Sequence, residues 1–292
     1  MGMLQRIKIL LELTKCRISL FASLSTSAGF ILAKQGISRE IFLPVFGVFL
    51  LACGSCALNQ YQEREIDGRM ERTRGRPLPS GRLDPWVALW VALGLICLGA
   101  FILFYGGGCE VGAPGLFAIL WYNGVYTYLK RRTAFAAVPG ALVGVIPPAL
   151  GWLSGGGSFL DPRIWAISFF FFIWQVPHFW LLLLDSGGDY EKAGLPSLTS
   201  IFSTAQLKRI LSVWILSTAV SCLFMPLFGF LKFSFSQLLL LGLTLWLVWD
   251  TTNFLRSSPK EASVRFTFVR VNIFVLSVVS LLSLDSLLKS AW

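Results

Sequence analysis

The chain has 292 residues, of which 55% are hydrophobic and 14% are charged, and its formal net charge is +10. Soluble domains carry about 25% charged residues, so this composition excludes an ordinary soluble globular protein. The positive charge follows the predicted membrane topology given below, and nucleic acid is therefore not expected as a partner.

Apolar runs of about 17–25 residues, the length of a helix that crosses a bilayer, recur along the chain. Only helices or a closed barrel satisfy backbone hydrogen bonds in lipid, and these runs lack the short alternating pattern of barrel strands. The sequence predicts one all-α polytopic membrane domain over residues 1–292. Its nine predicted transmembrane helices are 18–34, 41–61, 86–106, 112–129, 136–153, 164–184, 210–231, 234–255 and 271–288.

The segment before the first span is basic and is followed by no small-residue cleavage site, which favours an uncleaved helix over a signal peptide. No Arg-rich, Ser-rich transit peptide precedes it, which favours the bacterial cytoplasmic (inner) membrane. With a cytoplasmic N-terminus, all Lys and Arg lie on the cytoplasmic side except Lys34, Arg39, Arg163, Lys232 and Lys289. This asymmetry agrees with the positive-inside rule.

A first acidic cluster ends the second predicted span. Asn59, Glu63 and Asp67 have i, i+4, i+8 spacing and share one helix face. Such oxygen ligands suit Mg²⁺, which takes one or two carboxylates and completes its shell with water and phosphate oxygens. The alternative is a solvated helix end, but Asn59 lies inside the apolar span, where a polar side chain is costly.

Basic residues crowd the loops on the same side. Arginine matches phosphate oxygens, so these loops could hold a diphosphate, although topology alone also requires a positive excess there. The candidate phosphate ligands include Arg64, Arg72, Arg76, Lys130 and Arg131.

His178 is the only histidine and lies within the sixth predicted span, one helical turn after Trp174. An ionisable group inside a membrane span is a functional candidate by default. Together the two rings could contact one flat ligand. The imidazole could ligate heme iron or accept a proton, and the sequence leaves both open.

A second acidic pair, Asp185 and Asp189, follows the sixth span. Four crossings separate it from the first cluster, so both are predicted at the cytoplasmic mouth of a cavity inside the helical bundle. Two such groups can hold Mg²⁺ ions that clamp a diphosphate. The arrangement also suggests a diverged repeat of spans 1–4 and 5–8, followed by a ninth helix.

These residues resemble the UbiA-type intramembrane prenyltransferases over nearly the whole chain. The first acidic motif, with Asp67, Arg72-Thr73 and Arg76-Pro77, is typical of the superfamily, and residues 174–180 resemble its heme-modifying branch. The chain differs from the usual pattern at Glu63, where the family has Asp, and at Cys16, where the family has Pro between Lys and Arg.

The resemblance implies a ring of nine helices around a central cavity, with farnesyl diphosphate bound through Mg²⁺ and heme b as the acceptor. Asn59, Glu63, Asp67, Asp185 and Asp189 would hold the metal, with Asp67 and Asp189 also catalytic. The basic candidates would bind diphosphate, and His178 and Trp174 would bind heme, with His178 also catalytic. A downstream heme-oxidising enzyme is an open partner. The alternatives are a sister enzyme with an aromatic acceptor such as 4-hydroxybenzoate, an ion-coupled transporter and a membrane scaffold.

Overall fold

The computed structural model describes residues 2–185, 187–256 and 261–290, and all regular secondary structure in that part of the chain is helical. The α-helices are α1 (Met3–Thr14), α2 (Cys16–Lys34), α3 (Phe42–Asp67), α4 (Pro85–Ile119), α5 (Thr127–Leu129), α6 (Ala137–Gly140), α7 (Leu142–Ser154), α8 (Pro162–Asp185), α9 (Gly187–Lys192), α10 (Thr204–Cys222), α11 (Ser234–Arg256) and α12 (Glu261–Ser290). A π-helix, Leu120–Tyr126, joins α4 to α5, and 3-10 turns are Arg39–Ile41, Ala134–Ala136, Leu198–Ser200 and Met225–Phe228.

Large apolar side chains on the outside of the bundle identify its lipid-facing surface. Trp90, Phe101, Phe169 and Trp249 are all more than half exposed. Exposed apolar side chains in such number are unfavourable in water but suit hydrocarbon. The protein is therefore a multi-pass membrane protein, as its sequence predicts.

Within the described residues, eight helical segments are long and apolar enough to cross a membrane, not the nine predicted. The difference lies at Pro85–Leu129, where the sequence predicts spans 86–106 and 112–129: these 45 residues count as one segment because the helices on the two sides of the non-helical Gly108 adjoin it directly. The remaining segments overlap the predicted spans but differ at their ends. Helix α3 continues to Asp67, and α12 begins at Glu261.

The Pro85–Leu129 segment folds back on itself at Gly108, whose φ of 59° and ψ of −157° are not helical. A Cβ atom on Gly112 would lie 2.4 Å from the Phe104 ring, and one on Gly115 would lie 2.8 Å from Leu103. Residues eight or twelve apart on a straight helix are about 12–18 Å apart and could not meet. The two predicted spans therefore form a helical hairpin.

Glycine allows α2 and α7 to pack with their backbones in contact. A Cβ atom on Gly29 would lie 1.9 Å from the Pro148 carbonyl oxygen, and one on Gly151 would lie 1.9 Å from the Thr26 carbonyl oxygen. Small residues at such crossings let membrane helices approach closely. This contact fixes the first span against the middle of the chain.

The last helix closes the bundle against the first span. Ser286 Oγ donates to the Ile31 carbonyl oxygen at 3.2 Å, and Lys289 Nζ donates to Gln35 Oε1 at 2.6 Å. Helix α12 also packs on α8 and α11. The bundle is therefore closed by contacts between residues about 255 positions apart.

Candidate active site

Three of the polar contacts between α3 and the returning arm of the helical hairpin, residues 109–131, follow one another along α3. Ser55 Oγ donates to Asn123 Oδ1 at 2.7 Å, and Asn59 Nδ2 donates to Thr127 Oγ1 at 3.1 Å. Both pairs are separated by 68 residues, so the two helices run parallel here. The spacing places successive contacts one turn apart on each helix.

The third contact is an ion pair. Lys130 Nζ lies 2.6 Å from Glu63 Oε2, and the Glu63 side chain is only 7% exposed. Asn59, Glu63 and Asp67 are all buried, which agrees with the prediction that they share one face of α3. Because burial of a lone carboxylate is unfavourable, the cation stabilises Glu63 in this position.

The π-helix is where the returning arm presents its polar groups. Asn123 is buried, and its Nδ2 donates to the Ser55 carbonyl oxygen and to Gln62 Oε1. Short π-helices inside longer helices are frequent at functional sites. Sequence reasoning missed Ser55, Asn123 and Thr127, although Asn123 in an apolar span carried the same signal as Asn59.

Asp67 is held by the loop that follows α3. Arg76 Nη1 donates to Asp67 Oδ2 at 2.6 Å, and the Asp67 side chain is 1% exposed. Thr73 Oγ1 donates to the Asp67 carbonyl oxygen at 2.8 Å. The loop therefore folds over the end of α3 and covers its last carboxylate.

The same loop joins the two predicted acidic clusters. The backbone N–H of Arg72 donates to Asp189 Oδ2 at 3.0 Å, and Asp189 is half-buried at the start of α9. The Arg72 side chain is exposed. The side chain of Asp185 lies outside the described part of the structure. Asp189 and the first cluster thus lie at the same end of the bundle.

Two predicted phosphate ligands, Arg64 and Arg131, pack on tyrosine rings. Arg64 packs over the Tyr61 ring at 4.7 Å and donates to the Tyr61 carbonyl oxygen. Arg131 packs over the Tyr128 ring at 5.2 Å and donates to the Gln62 carbonyl oxygen at 2.9 Å. Its Nε is buried without a partner among the described residues, which leaves one donor for a ligand.

Lys15 joins this group, and sequence reasoning did not place it there. It connects α1 to α2 with φ of 47°, a left-handed conformation that is uncommon for a side-chain-bearing residue. Burial lowers the pKa of Lys15, and the nearby cations Arg76 and Lys130 lower it further, while Cys56 and Asp67 oppose them. The sequence shows Lys15 as one of several bases before the first span and cannot tell which of them points inward.

His178 lies on α8 with Trp174 beside it, as the spacing predicts. The two ring centroids are 5.0 Å apart, so Pro177 does not separate their faces. His178 Nδ1 is 2.8 Å from Asn272 Oδ1 on α12. The Trp174 Nε1 is buried without a hydrogen-bond partner in the described residues.

Aromatic rings connect the ion pairs to His178. Lys130 Nζ lies 5.6 Å from the Tyr126 ring, and Tyr126 stacks on Phe179 with centroids 6.0 Å apart. Phe179 is in turn 5.8 Å from the His178 ring. A continuous aromatic path therefore joins the polar end of the bundle to the histidine.

The donor chemistry of the polar end fits a hard divalent cation. Glu63, Asp67 and Asp189 offer carboxylate oxygens, and Asn59 offers an amide oxygen. Among the described residues, no three acidic, cysteine or histidine side chains converge on one point. Mg²⁺ would therefore take one or two of these carboxylates and need further oxygens from a ligand, which is its usual pattern beside phosphates.

Comparison with known proteins agrees with a site of this chemistry. The model of the UbiA prenyltransferase family matches residues 22–278. A Geobacter sulfurreducens protein named protoheme IX farnesyltransferase is 40% identical over 220 residues, covering 75% of this chain and 81% of the relative. A protein of the same name from Oleidesulfovibrio alaskensis is 34% identical and covers 96% of both chains.

Two solved structures share the fold. One comes from work on digeranylgeranylglyceryl phosphate synthase in membranes and has a TM-score of 0.75 at 15% identity, covering 96% of this chain and 98% of the other. The other is a UbiA homolog from Archaeoglobus fulgidus bound to GPP and Mg²⁺, with a TM-score of 0.63 at 14% identity, covering 94% and 99%. At these identities the likeness concerns the fold alone.

Proposed function

Because this chain belongs to the UbiA prenyltransferase family, we propose that it transfers the farnesyl group of farnesyl diphosphate to a vinyl group of heme b, giving heme o. The family membership makes the chain a prenyltransferase, and the curated relatives support heme as the acceptor. The observation that carries the proposal is the arrangement of two groups joined by the aromatic path. Ion-paired carboxylates lie at one end of this path, and a histidine among aromatic rings lies at its other end.

The polar end suits the diphosphate. Lys15, Arg76, Lys130 and the buried Nε of Arg131 offer cationic donors. Mg²⁺, when bound, would neutralise the diphosphate oxygens and promote departure of the leaving group. The residues that would hold the metal are Asp67, Glu63, Asn59 and Asp189. The Mg²⁺ present in the Archaeoglobus fulgidus relative supports this choice of metal.

The present ion pairs become phosphate contacts in this proposal. Arg76 and Lys130 now neutralise Asp67 and Glu63. With Mg²⁺ and diphosphate bound, Asp67 and Glu63 would be metal ligands, and Arg76 and Lys130 would be free to donate to phosphate oxygens. Net charge is thus balanced with and without substrate, which keeps the buried carboxylates stable in both states.

The reaction breaks the bond between the allylic carbon and the bridging oxygen, and diphosphate keeps the electron pair. The vinyl group of heme attacks the farnesyl cation, and water adds to the resulting heme cation with loss of one proton. Tyr126 and Phe179 lie between the two ends and offer aromatic faces to the allylic cation. Lining this path with aromatic rings also excludes water that would quench the cation early.

The membrane arrangement follows from the helical hairpin. If the 45 residues of Pro85–Leu129 formed one straight helix, it would be roughly 67 Å long, about twice the hydrocarbon thickness. In this proposal Pro85–Leu129 crosses twice by turning back at Gly108, which gives nine crossings around the cavity. The excess of Lys and Arg in the loops supports a cytoplasmic position for the polar end, in the bacterial inner membrane.

The test is to incubate the purified protein with heme b, farnesyl diphosphate and Mg²⁺ and to analyse the hemes by mass spectrometry. The expected product is a hydroxyethylfarnesyl heme that disappears when the metal is chelated. If 4-hydroxybenzoate is prenylated and heme is unchanged, the protein is a prenyltransferase whose acceptor is an aromatic acid and not heme. Absence of any prenylated product, with ion uptake into proteoliposomes, would support the transporter alternative instead.

A further inference from the structure

The hydrogen bonds of Asn272 define which way its amide points. Its Nδ2 donates to the Phe268 carbonyl oxygen, four residues earlier on α12, at 2.6 Å. A carbonyl oxygen can only accept a hydrogen bond, so the amide NH₂ must face it. The amide oxygen Oδ1 is thereby directed to His178 Nδ1 at 2.8 Å.

The amide orientation determines the tautomer of His178. An amide oxygen is an acceptor without a hydrogen, so the short contact requires a hydrogen on Nδ1. In a neutral imidazole the other nitrogen, Nε2, then carries the lone pair. A charged imidazolium would be costly inside the membrane span, which favours the neutral form.

The surroundings of the His178 ring are aromatic, and the contacts described for it include no second polar partner. Trp174 and Phe268 lie 5.0 Å from the imidazole, and Phe179 lies 5.8 Å away. Among the described residues, the hydrogen bond of His178 is the one to Asn272. Histidines that bind a metal almost always donate their other ring N–H to an oxygen in this way.

We propose that Asn272 is a positioning residue that holds His178 as the Nδ1–H tautomer, so that Nε2 is presented as the axial donor to the iron of heme b. The identification of heme b as the ligand rests on the proposed function, whereas the tautomer of His178 does not. Asn272 acts on an adjacent helix, so α12 orients a group on α8. Nothing in the linear sequence connects the two residues, which are 94 positions apart.

The single histidine allows a direct test without substrate. In protein labelled with ¹⁵N- and ¹³C-histidine, all side-chain imidazole signals belong to His178. The expected spectrum shows one protonated and one unprotonated nitrogen, with the proton on Nδ1. Asn272→Leu removes the acceptor and should give a mixture of tautomers, whereas Asn272→Asp keeps an acceptor and should keep the wild-type tautomer. A proton on Nε2 in the wild type would overturn the proposal.

Heme binding provides the second readout. Titration of ferric heme b into the protein should give an imidazole-ligated absorption and electron paramagnetic resonance spectrum that is lost in His178→Ala. Asn272→Leu should weaken heme affinity about tenfold to a hundredfold, and Asn272→Asp should restore most of it. Asn253→Leu, on the exposed surface of α11, is the matched control and should leave affinity unchanged. Equal affinity in Asn272→Leu and the wild type would overturn the positioning role.

The two readouts separate this proposal from the proposed function. If Asn272→Leu does not fold, the wild-type tautomer and the Asn272→Asp variant still decide the matter. A wild-type Nδ1–H tautomer with no heme o formed would contradict the reaction and leave the positioning geometry intact. Heme o formation with a spectrum that is the same in His178→Ala and the wild type would contradict the iron contact alone.

Discussion

Glu63 and Lys130 are 67 residues apart in the chain, yet Lys130 Nζ lies 2.6 Å from Glu63 Oε2. Both side chains are largely buried, with exposed fractions of 7% and 18%. The pair joins α3 to the end of the helical hairpin and so combines a structural role with a place among the proposed diphosphate ligands.

We expect Lys130→Met to reduce both stability and affinity for farnesyl diphosphate. Removing one partner of a buried ion pair leaves the other charge uncompensated and costs about 3 kcal/mol. The double variant Lys130→Met, Glu63→Gln should regain much of the lost melting temperature but none of the affinity. Thermal unfolding in detergent and the KM for farnesyl diphosphate measure the two effects. Full recovery of both in the double variant would contradict a role for Lys130 in binding.

Asp67→Asn should reduce turnover about a hundredfold or more, because a neutral amide oxygen binds a divalent cation more weakly than a carboxylate and does not neutralise its charge. The amide oxygen can still accept from Arg76, so the protein should remain folded in the membrane. Glu65→Gln, on the same helix but 79% exposed, is the control and should keep normal activity. The rate of heme o formation measures both variants, and retention of full activity in Asp67→Asn would contradict the metal assignment.

Lys15→Met should raise the melting temperature of the substrate-free protein and also raise the KM for farnesyl diphosphate. Because burial lowers the pKa of Lys15, the unfolded chain binds this proton more tightly than the folded protein does. The contribution of Lys15 to stability therefore improves as the pH rises through its folded-state pKa, and removal of the charge relieves the cost at lower pH. A lower melting temperature with an unchanged KM would contradict this prediction.

Gly151→Ala should destabilise the protein by about 1–3 kcal/mol or more, because the added Cβ would overlap the Thr26 carbonyl oxygen and neither backbone can move alone. Gly94→Ala is the matched control, since nothing lies within 4 Å of its added Cβ. In the control, helix propensity favours alanine by about 0.5–1 kcal/mol. Thermal unfolding of both variants in detergent compares them. Equal melting temperatures would show that the α2–α7 contact can relax.

Local patterns in the sequence predicted those features that depend on one helix. The spacing of Asn59, Glu63 and Asp67 predicted a shared face, and all three are buried together. The spacing of Trp174 and His178 predicted adjacent rings, and they are 5.0 Å apart. The UbiA family and the polytopic helical fold were likewise predictable from motifs and from the length of the apolar runs.

The rest depends on contacts between distant segments. The sequence predicts spans 86–106 and 112–129 but does not show how they are joined: the non-helical backbone between them is confined to Gly108, with helical residues on both sides. Nor does it show that Asn123 and Thr127 face α3 or that Asn272 faces α8, since the packing of the helices sets the direction of each side chain. The packing of Arg64 on the Tyr61 ring is likewise not evident from the motif to which Arg64 belongs.

The hairpin that contains Gly108 also has a consequence for how the protein is made. The side-chain hydrogen bonds and ion pairs described above between α3, its following loop and the returning arm all lie between residues 55 and 131. Because chains fold progressively from the N-terminus during synthesis, this half can assemble before His178 has been added to the chain. Asn272, on the final helix, arrives last, so the histidine receives its partner only when the nascent protein is almost complete.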